Sequence, residues 1–148
     1  MPTIFTIGYE QATQDAVLSA LREAGIEMLA DIRYLPLSRR PGFSKTSLRA
    51  AVEEARIAYR HFRDLGTPAE GREAARRGDH AGLARAYAGQ LELPEAVKQM
   101  AELRALAEER SVCLLCYERD PAACHRSLLF DVLFGDFERV DLAPSLVS

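Results

Sequence analysis

One short cysteine-rich segment carries most of the side chains that could do chemistry. It contains Cys113, Cys116 and Cys124, and the last of these is followed directly by His125 and Arg126. A C-x-x-C pair with a later Cys-His is typical of zinc sites. Cys113 and Cys116, however, lie three apart in a predicted strand, and Cys124 and His125 are neighbours about 100° apart on a predicted helix, so neither pair shares a face. We therefore expect no metal ion and no cofactor.

Cys116 is the candidate nucleophile, because it lies where a predicted strand passes into a loop. The placement resembles the phosphate loops of cysteine phosphatases, but alanine stands at position 122, where those loops have arginine. Glu118 and His125 are the candidate acid–base groups. Cys116 and His125 also have structural alternatives, as a small buried side chain and as a hydrogen-bonded histidine.

A helix is predicted from Asp120, its N-cap residue, to about residue 134. The free N–H groups at its start would favour a bound anion. Arg126 lies near that end, where the helix dipole disfavours a cation, so we expect it to clamp an anion. Asp31 ends another strand two residues before Arg33. It is expected to pair with one of these arginines or to line the same site.

A basic stretch covers residues 33–49, which carry five positive charges and no acidic residue. Within it, Arg39 and Arg40 precede a Pro-Gly pair and Phe43. We expect the two arginines to contact phosphate and Phe43 to stack on a ring of the ligand. Tyr9 could stack on the ligand as well. The alternatives are a solvated loop for this stretch and ordinary packing for Tyr9.

The elements that must position these residues follow from the apolar patterns. Strands are predicted at residues 3–8, 28–32, 57–62, 112–117 and 137–142. Helices are predicted after Thr13 and Ser44, at residues 81–91, from Pro94 and at residues 120–134, with a surface loop at 64–79. The opening strand–helix–strand unit is typical of parallel sheets. We predict one α/β domain over residues 1–148, with a mainly parallel sheet of about five strands and flanking helices in a Rossmann-like, three-layer arrangement.

Ligands of open α/β sheets bind beyond the carboxyl ends of the strands. The polar and reactive residues of this sequence fall at those ends or on the helix that follows. We therefore expect one concavity to bring together Asp31, Arg33, Cys116, Glu118, His125 and Arg126.

Composition narrows the class of protein. The chain has 148 residues, 48% of them hydrophobic and 28% charged, which excludes a disordered tail, a collagen-like rod and a disulfide-stapled miniprotein. No apolar run is long enough for a membrane span, and the first residues lack a secretory signal, so we expect a cytoplasmic protein. Three cysteines in such a chain argue against a disulfide framework.

Several motifs occur in order along residues 3–134. They are Thr6-Ile7-Gly8-Tyr9, Asp31-Ile32-Arg33 with Pro36, Ser38, Arg39, Pro41 and Phe43, Ile57-x-Tyr59, Leu65-Gly66, Leu115-Cys116-x-Glu118, and Cys124-His125-Arg126. Together they resemble the bacterial and archaeal family called domain of unknown function 488. One departure is Thr67, which stands where that family often has a second glycine after Leu-Gly. The resemblance implies a fold and a site but no reaction.

The leading hypothesis is an enzyme that acts on an anionic, phosphate-bearing, nucleotide-like substrate, which is either a small molecule or a component of nucleic acid. Net charge of −3 gives no reason to expect a general polyanion binder, so the local arginines carry this hypothesis. The runner-up is a non-catalytic nucleotide- or nucleic-acid-binding module. A third reading is a protein-interaction domain whose arginines pair with its own acids. We expect no membrane partner and leave a homodimer open.

Overall fold

The computed structural model describes residues 2–121 and 124–146 of the chain. In chain order the elements are β1 (Thr3–Gly8), α1 (Gln14–Glu23), β2 (Met28–Asp31), α2 (Lys45–Glu54), β3 (Ala58–His61), a short 3₁₀ turn (Arg63–Leu65), α3 (Ala69–Arg76), α4 (His80–Leu91), α5 (Pro94–Glu109), β4 (Val112–Cys116), α6 (His125–Leu133) and β5 (Glu138–Leu142). Among the described residues, no helix is both long and apolar enough to cross a membrane.

The five strands form one parallel sheet in the order β3-β2-β4-β1-β5, which confirms the predicted α/β fold. Gly8 pairs with Cys116 and Asp31 pairs with Leu115, so the three central strands end almost level. The chain leaves β1 towards one side of the sheet and leaves β4 towards the other. A crevice opens outside the strand ends at such a switch point, and here it lies between β1 and β4.

Helices cover both faces of the sheet and complete the three layers. Leu114 and Leu115 are neighbours in β4, yet they belong to the two different cores because strand side chains alternate between faces. On one face, α1 and α2 contribute Val17, Leu21, Leu48 and Val52. On the other face, α4, α5 and α6 contribute Tyr87, Leu91, Leu103 and Leu129. Burial on both faces explains why the central strands β2 and β4 are largely continuous apolar runs.

The expected surface loop at residues 64–79 is instead partly helical. The 3₁₀ turn and α3 occupy it, and α3 buries Gly71 and Ala74. Asp79 then accepts a hydrogen bond from the N–H of Gly82 and caps α4. The loop prediction was wrong because small residues suggested turns, whereas Gly71 permits close packing: a Cβ atom there would lie 2.5 Å from the Thr67 methyl group.

The last helix also begins later than expected. Cys124 is the N-cap residue of α6 and His125 its first residue, so the prediction that Asp120 caps this helix is wrong. Before α6 begins, the chain turns back over the strand ends, where Glu10 accepts a hydrogen bond from Arg119 N–H and donates its own N–H to the Tyr117 carbonyl. These bonds bind the residues that follow β4 to the β1 loop.

Gly8 ends β1 directly beneath the loop that follows β4. A Cβ atom at this position would lie 1.8 Å from the carbonyl oxygen of Glu118 and 2.9 Å from Arg126 Nη1. The next residue, Tyr9, donates its N–H to the Cys116 carbonyl, so the two loops are bound to each other at this point. The floor of the crevice therefore closes only because residue 8 has no side chain.

Replacing Gly8 with alanine should lower the free energy of unfolding by about 1–3 kcal/mol, because the backbone of one loop must move to admit the methyl group. Gly89→Ala is the matched control, since a Cβ atom there meets nothing within 4 Å. In α4 that change should raise the free energy of unfolding by about 0.5–1 kcal/mol. Urea unfolding measures both, and equal stability of the two variants would contradict the close approach.

Candidate active site

A buried ion pair stands at the carboxyl end of β2. Arg33 donates from Nη2 to Asp31 Oδ2 over 2.7 Å and from Nε to Asp31 Oδ1 over 2.8 Å. Asp31 is completely buried, and Arg33 is 6% exposed. Burial opposes the charge of Arg33, but the hydrogen bonds and the attraction of the Asp31 carboxylate outweigh it and raise the pKa of Arg33. The two charges neutralise each other inside the protein.

The same pair organises its surroundings. The Tyr59 hydroxyl donates to Asp31 Oδ2, and burial together with the nearby carboxylate raises the pKa of Tyr59. On the other side, Arg33 Nη1 donates to the Phe43 carbonyl over 2.6 Å and to the Tyr9 hydroxyl over 3.1 Å. Strand β3, the β1 loop and the loop after β2 are thus bound to one guanidinium–carboxylate unit.

Phe43 is fully buried and stacks on Tyr9, with ring centroids 4.3 Å apart. The ring face that was expected to receive a ligand is therefore occupied by another side chain. This corrects the sequence interpretation: Phe43 supports the site from behind, and of the two rings only that of Tyr9 lines the cavity, where the residue is 2% exposed.

A cavity of about 380 Å³ lies over the β1–β4 crevice. Of the ten residues proposed from sequence, the structure places seven on its wall: Tyr9, Arg33, Arg39, Arg40, Cys116, Glu118 and His125. The other three, Asp31, Phe43 and Arg126, are completely buried outside the wall. The sequence suggested that these three residues contact a ligand directly. Their complete burial corrects that prediction.

Arg126 shows why. Its side chain is completely buried, and Nη2 donates to the carbonyl of Arg119 over 2.9 Å. Its Nε and Nη1 have no hydrogen-bond partner within residues 2–121 and 124–146. Burial lowers the pKa of Arg126 from its usual value. The residue supports the loop after β4 from below and does not form the anion clamp that we expected at a helix start.

Three arginines surround the cavity without an acidic partner. Arg39 is exposed, Arg40 donates from Nε and Nη2 to the Ala12 carbonyl, and Arg72 donates from Nη1 to the Thr67 carbonyl. In the described part of the chain, none of the three forms an ion pair. The wall therefore carries uncompensated positive charge.

Cys116 lies at the floor of the cavity and is joined in a disulfide to Cys124, which is buried behind it. The sequence argument against a disulfide framework rested on the odd number of cysteines and on the lack of an export signal, and it did not anticipate this bond. Cys113 is free and belongs to the core on the α1–α2 side, where burial raises its pKa. Cys113 and Cys116 do lie apart, as the strand geometry predicts.

His125 lines the cavity, and a hydrogen bond fixes the tautomer of its ring. Its Nε2 lies 2.7 Å from the carbonyl oxygen of Ile32, which can only accept, so Nε2 carries the proton. Nδ1 is then the unprotonated nitrogen, and it lies 3.6 Å from Cys124 Sγ. Burial lowers the pKa of His125 to about 4, against the opposing effect of the Ile32 hydrogen bond, so the ring is neutral at pH 7.

Glu118 completes the floor. Burial raises the pKa of its carboxyl group, with a further contribution from the negative charge of Glu10. One carboxylate oxygen of Glu118 and the sulfur atoms of Cys116 and Cys124 all lie within 4.8 Å of one another. These three side chains are the set in the described residues that could hold a metal ion.

Further wall residues were missed from sequence. The loop after β2 supplies Tyr34, Leu35, Leu37 and Ser38, the segment before α3 supplies Thr67, α3 supplies Arg72, and the loop after β4 supplies Tyr117. A signal existed for Tyr117, which follows Cys116 directly. None existed for Arg72, whose place depends on the unexpected helix α3. A second cavity of about 430 Å³ shares five wall residues with the first, three of them among those missed from sequence, and it continues over α3 towards Arg76.

Comparisons with known proteins give one match. A family model described as Domain of unknown function DUF488 matches residues 13–133, which is most of the chain. No curated protein and no solved structure matches.

Replacing Asp31 with asparagine should lower the free energy of unfolding by about 3–5 kcal/mol, because Arg33 would remain buried without a counter-charge. Tyr59→Phe, which removes only a hydrogen bond to the carboxylate, should cost about 1.5–3 kcal/mol. Urea unfolding followed by circular dichroism compares them.

The double variant Asp31→Asn/Arg33→Met keeps this test decisive if Asp31→Asn does not fold. Removing both charges should restore part of the lost stability, since no unpaired charge stays buried. A double variant that is less stable than the single one would contradict the role assigned to the pair.

Proposed function

The chain belongs to the family Domain of unknown function DUF488, whose description assigns no reaction, and from the geometry of the site we propose an enzyme that acts on an anionic, phosphate-bearing, nucleotide-like substrate. One observation carries this proposal. Arg39, Arg40 and Arg72 line a single cavity and none is ion-paired within the described residues. A phosphate group would supply the missing negative charge.

The arginines suit phosphate in their geometry as well as in their charge. A guanidinium group offers a planar fork of N–H donors that matches two phosphate oxygens. Arg40 spends Nε and Nη2 on the Ala12 carbonyl, at 3.0 and 2.7 Å, which leaves Nη1 for a ligand. Arg33 differs, because Asp31 already neutralises it. We therefore assign the anion to Arg39, Arg40 and Arg72, with Arg33 as their support.

The other side chains of the cavity wall suit a flat ring of the ligand. Leu35 and Leu37 are exposed apolar side chains, and Tyr117 is 45% exposed beside them. Apolar and aromatic surface next to a few polar groups is the usual composition of a small-molecule site, and about 380 Å³ lies within the range for such sites. A nucleotide has both a charged group and a flat ring, which is why we prefer it to inorganic phosphate alone.

The catalytic part of the proposal depends on the residues at the floor of the cavity. Glu118 and His125 face the same cavity as the arginines, and either could exchange a proton with a bound substrate. Cys116 could attack a substrate only after reduction, as a thiolate, because in the disulfide its sulfur is already bonded to Cys124. In the oxidised protein we therefore assign proton transfer to Glu118 and no nucleophilic role to Cys116.

A non-catalytic nucleic-acid-binding module is the second candidate. The second cavity favours it, because that cavity shares Arg72 with the first and continues to Arg76, so that the charged wall is longer than a mononucleotide needs. A cytoplasmic location goes with either function and is part of the proposal.

Calorimetric titration at low salt with phosphate and nucleoside monophosphates tests the binding. Arg40→Ala should weaken nucleotide binding by about 1.5–3 kcal/mol, or roughly 10- to 150-fold, through the loss of a charge-assisted hydrogen bond. Arg39→Ala should weaken it in the same direction. Arg22→Ala is the matched control: this exposed arginine lies in the last turn of α1, at the far edge of the sheet, and its loss should leave the affinity unchanged.

Equal affinity in all four proteins, or no binding in any, would contradict the anion site and favour the interaction-domain reading. Phosphorus NMR of the incubated nucleotides then separates the two candidates. An enzyme converts one of them and loses that turnover in Glu118→Gln while binding persists. A module converts none, and it binds an oligonucleotide more tightly than a mononucleotide in a manner that depends on Arg76.

A further inference from the structure

The floor of the cavity combines the donor atoms of a metal site. Cys116 Sγ, Cys124 Sγ and a Glu118 oxygen lie within 4.8 Å of one another, although they come from a strand end, a loop and a helix N-cap. Two thiolates with one carboxylate match the ligand preferences of zinc. The expectation of no metal considered two pairs, Cys113 with Cys116 and Cys124 with His125, and it did not consider that the loop after β4 brings Cys124 back to Cys116.

The backbone spacing of the two cysteines suits a shared metal. Their Cα atoms are 7.2 Å apart, whereas disulfides usually have Cα atoms about 4.4–6.8 Å apart. Two thiolates bound to one tetrahedral zinc, each at about 2.3 Å, have sulfur atoms about 3.8 Å apart. This is farther apart than in a disulfide, so the two Cα atoms must also be farther apart. The 7.2 Å between the Cα atoms of Cys116 and Cys124 lies above the usual range for disulfides.

His125 adds an independent indication. Its Nε2–H is held by the Ile32 carbonyl, so the lone pair of Nδ1 points away from that bond, and Nδ1 lies 3.6 Å from Cys124 Sγ. In histidines that ligate a metal, such a hydrogen bond from the other ring N–H fixes the tautomer and the ring orientation, and it does the same for His125 here. The unprotonated nitrogen therefore lies beside one of the two sulfur atoms, although His125 is not among the three residues whose ligand atoms lie within 4.8 Å of one another.

We propose that the reduced protein binds one zinc ion through Cys116, Cys124 and Glu118, with the fourth coordination position open to the cavity and occupied by water. Cys116 and Glu118 both line the cavity, so the open position faces it. His125 Nδ1 accepts a hydrogen bond from that water. Three protein ligands and one open position are the arrangement of catalytic rather than structural zinc sites.

The disulfide and the zinc ion exclude each other, because the disulfide uses both sulfur atoms. A phosphine reductant opens it: the S–S bond breaks, the two sulfurs gain two electrons and two protons, and the phosphine takes up oxygen from water to become a phosphine oxide. Zinc then displaces the two thiol protons. In the cytoplasmic location that we propose, glutathione and thioredoxin keep thiols reduced, so the dithiol is the form available to zinc there.

Cobalt titration of the whole protein tests this inference, with Zn²⁺ as competitor. After reduction with a phosphine and removal of the reductant under anaerobic conditions, one equivalent of Co²⁺ should produce a thiolate-to-cobalt charge-transfer band that Zn²⁺ abolishes. Cys116→Ser and Cys124→Ser should lose the band. Glu118→Gln should lower the zinc affinity by about tenfold or more. Cys113→Ser is the matched control and should behave like the wild type, since Cys113 is buried in the core between the sheet and α1 and α2.

A second measurement guards against variants that fail to fold. In the wild-type protein, zinc should slow alkylation of Cys116 and Cys124, as mapped by mass spectrometry, and the oxidised protein should bind no zinc. Absence of stoichiometric binding to the reduced wild type, or a band that survives in folded Cys116→Ser, would overturn the proposal. The titration uses chloride salts and contains no phosphate or nucleotide, so a negative result here leaves the arginine site untouched, and loss of nucleotide binding leaves the zinc site untouched.

Discussion

The ion pair between Asp31 and Arg33 fixes the relative positions of the three segments from which the site is built. Removing two charges from water costs several kcal/mol for each, and the cost is offset only when the hydrogen bonds are complete. Here the carboxylate receives Arg33 through two side-chain nitrogens and the Tyr59 hydroxyl, while the guanidinium also reaches the Phe43 carbonyl. A shift of β3 or of the loop after β2 would leave one of these buried groups unsatisfied. The pair therefore specifies one arrangement of the strand ends.

A second constraint acts between β1 and β4. The loop after β4 lies so close to Gly8 that no side chain fits there, and Arg126 fills the space beneath that loop. This contact turns the chain back over the strand ends, and as a result Cys124 lies beside Cys116. The chemistry at the floor of the cavity thus depends on the absence of a side chain at position 8.

The parts of the fold that depend on local pattern could be predicted from the sequence. The five strands, the parallel sheet and the helices after Thr13, Ser44 and Pro94 follow from periodicity and turn residues, and the topology then brings seven of the ten proposed residues to one cavity. What could not be predicted depends on contacts between distant segments. Sequence shows that Arg126 is a cation near a helix start, but not that it is buried under a loop.

Other differences have the same origin. Arg72 reaches the cavity because α3 packs on α4 through Gly71 and Ala74, and those small residues indicate a loop when they are considered alone. The loop before α6 is bound to Glu10, more than a hundred residues away along the chain, which accepts a hydrogen bond from the Arg119 N–H and donates one to the Tyr117 carbonyl. In each case the local preference was outweighed by the need to satisfy a buried backbone or side-chain group.

The loop between β2 and α2 is tied to the rest of the molecule at several points along its length. Arg33 binds the Phe43 carbonyl, Arg40 binds the Ala12 carbonyl, and Gln14 binds the Gly42 carbonyl. Ordering a backbone residue costs about 1–2 kcal/mol of conformational entropy, and for this loop that loss occurs when the protein folds. A ligand that meets Arg39 and Arg40 therefore encounters donors whose backbone is already ordered, and most of the remaining entropic cost lies in the outer bonds of the two side chains.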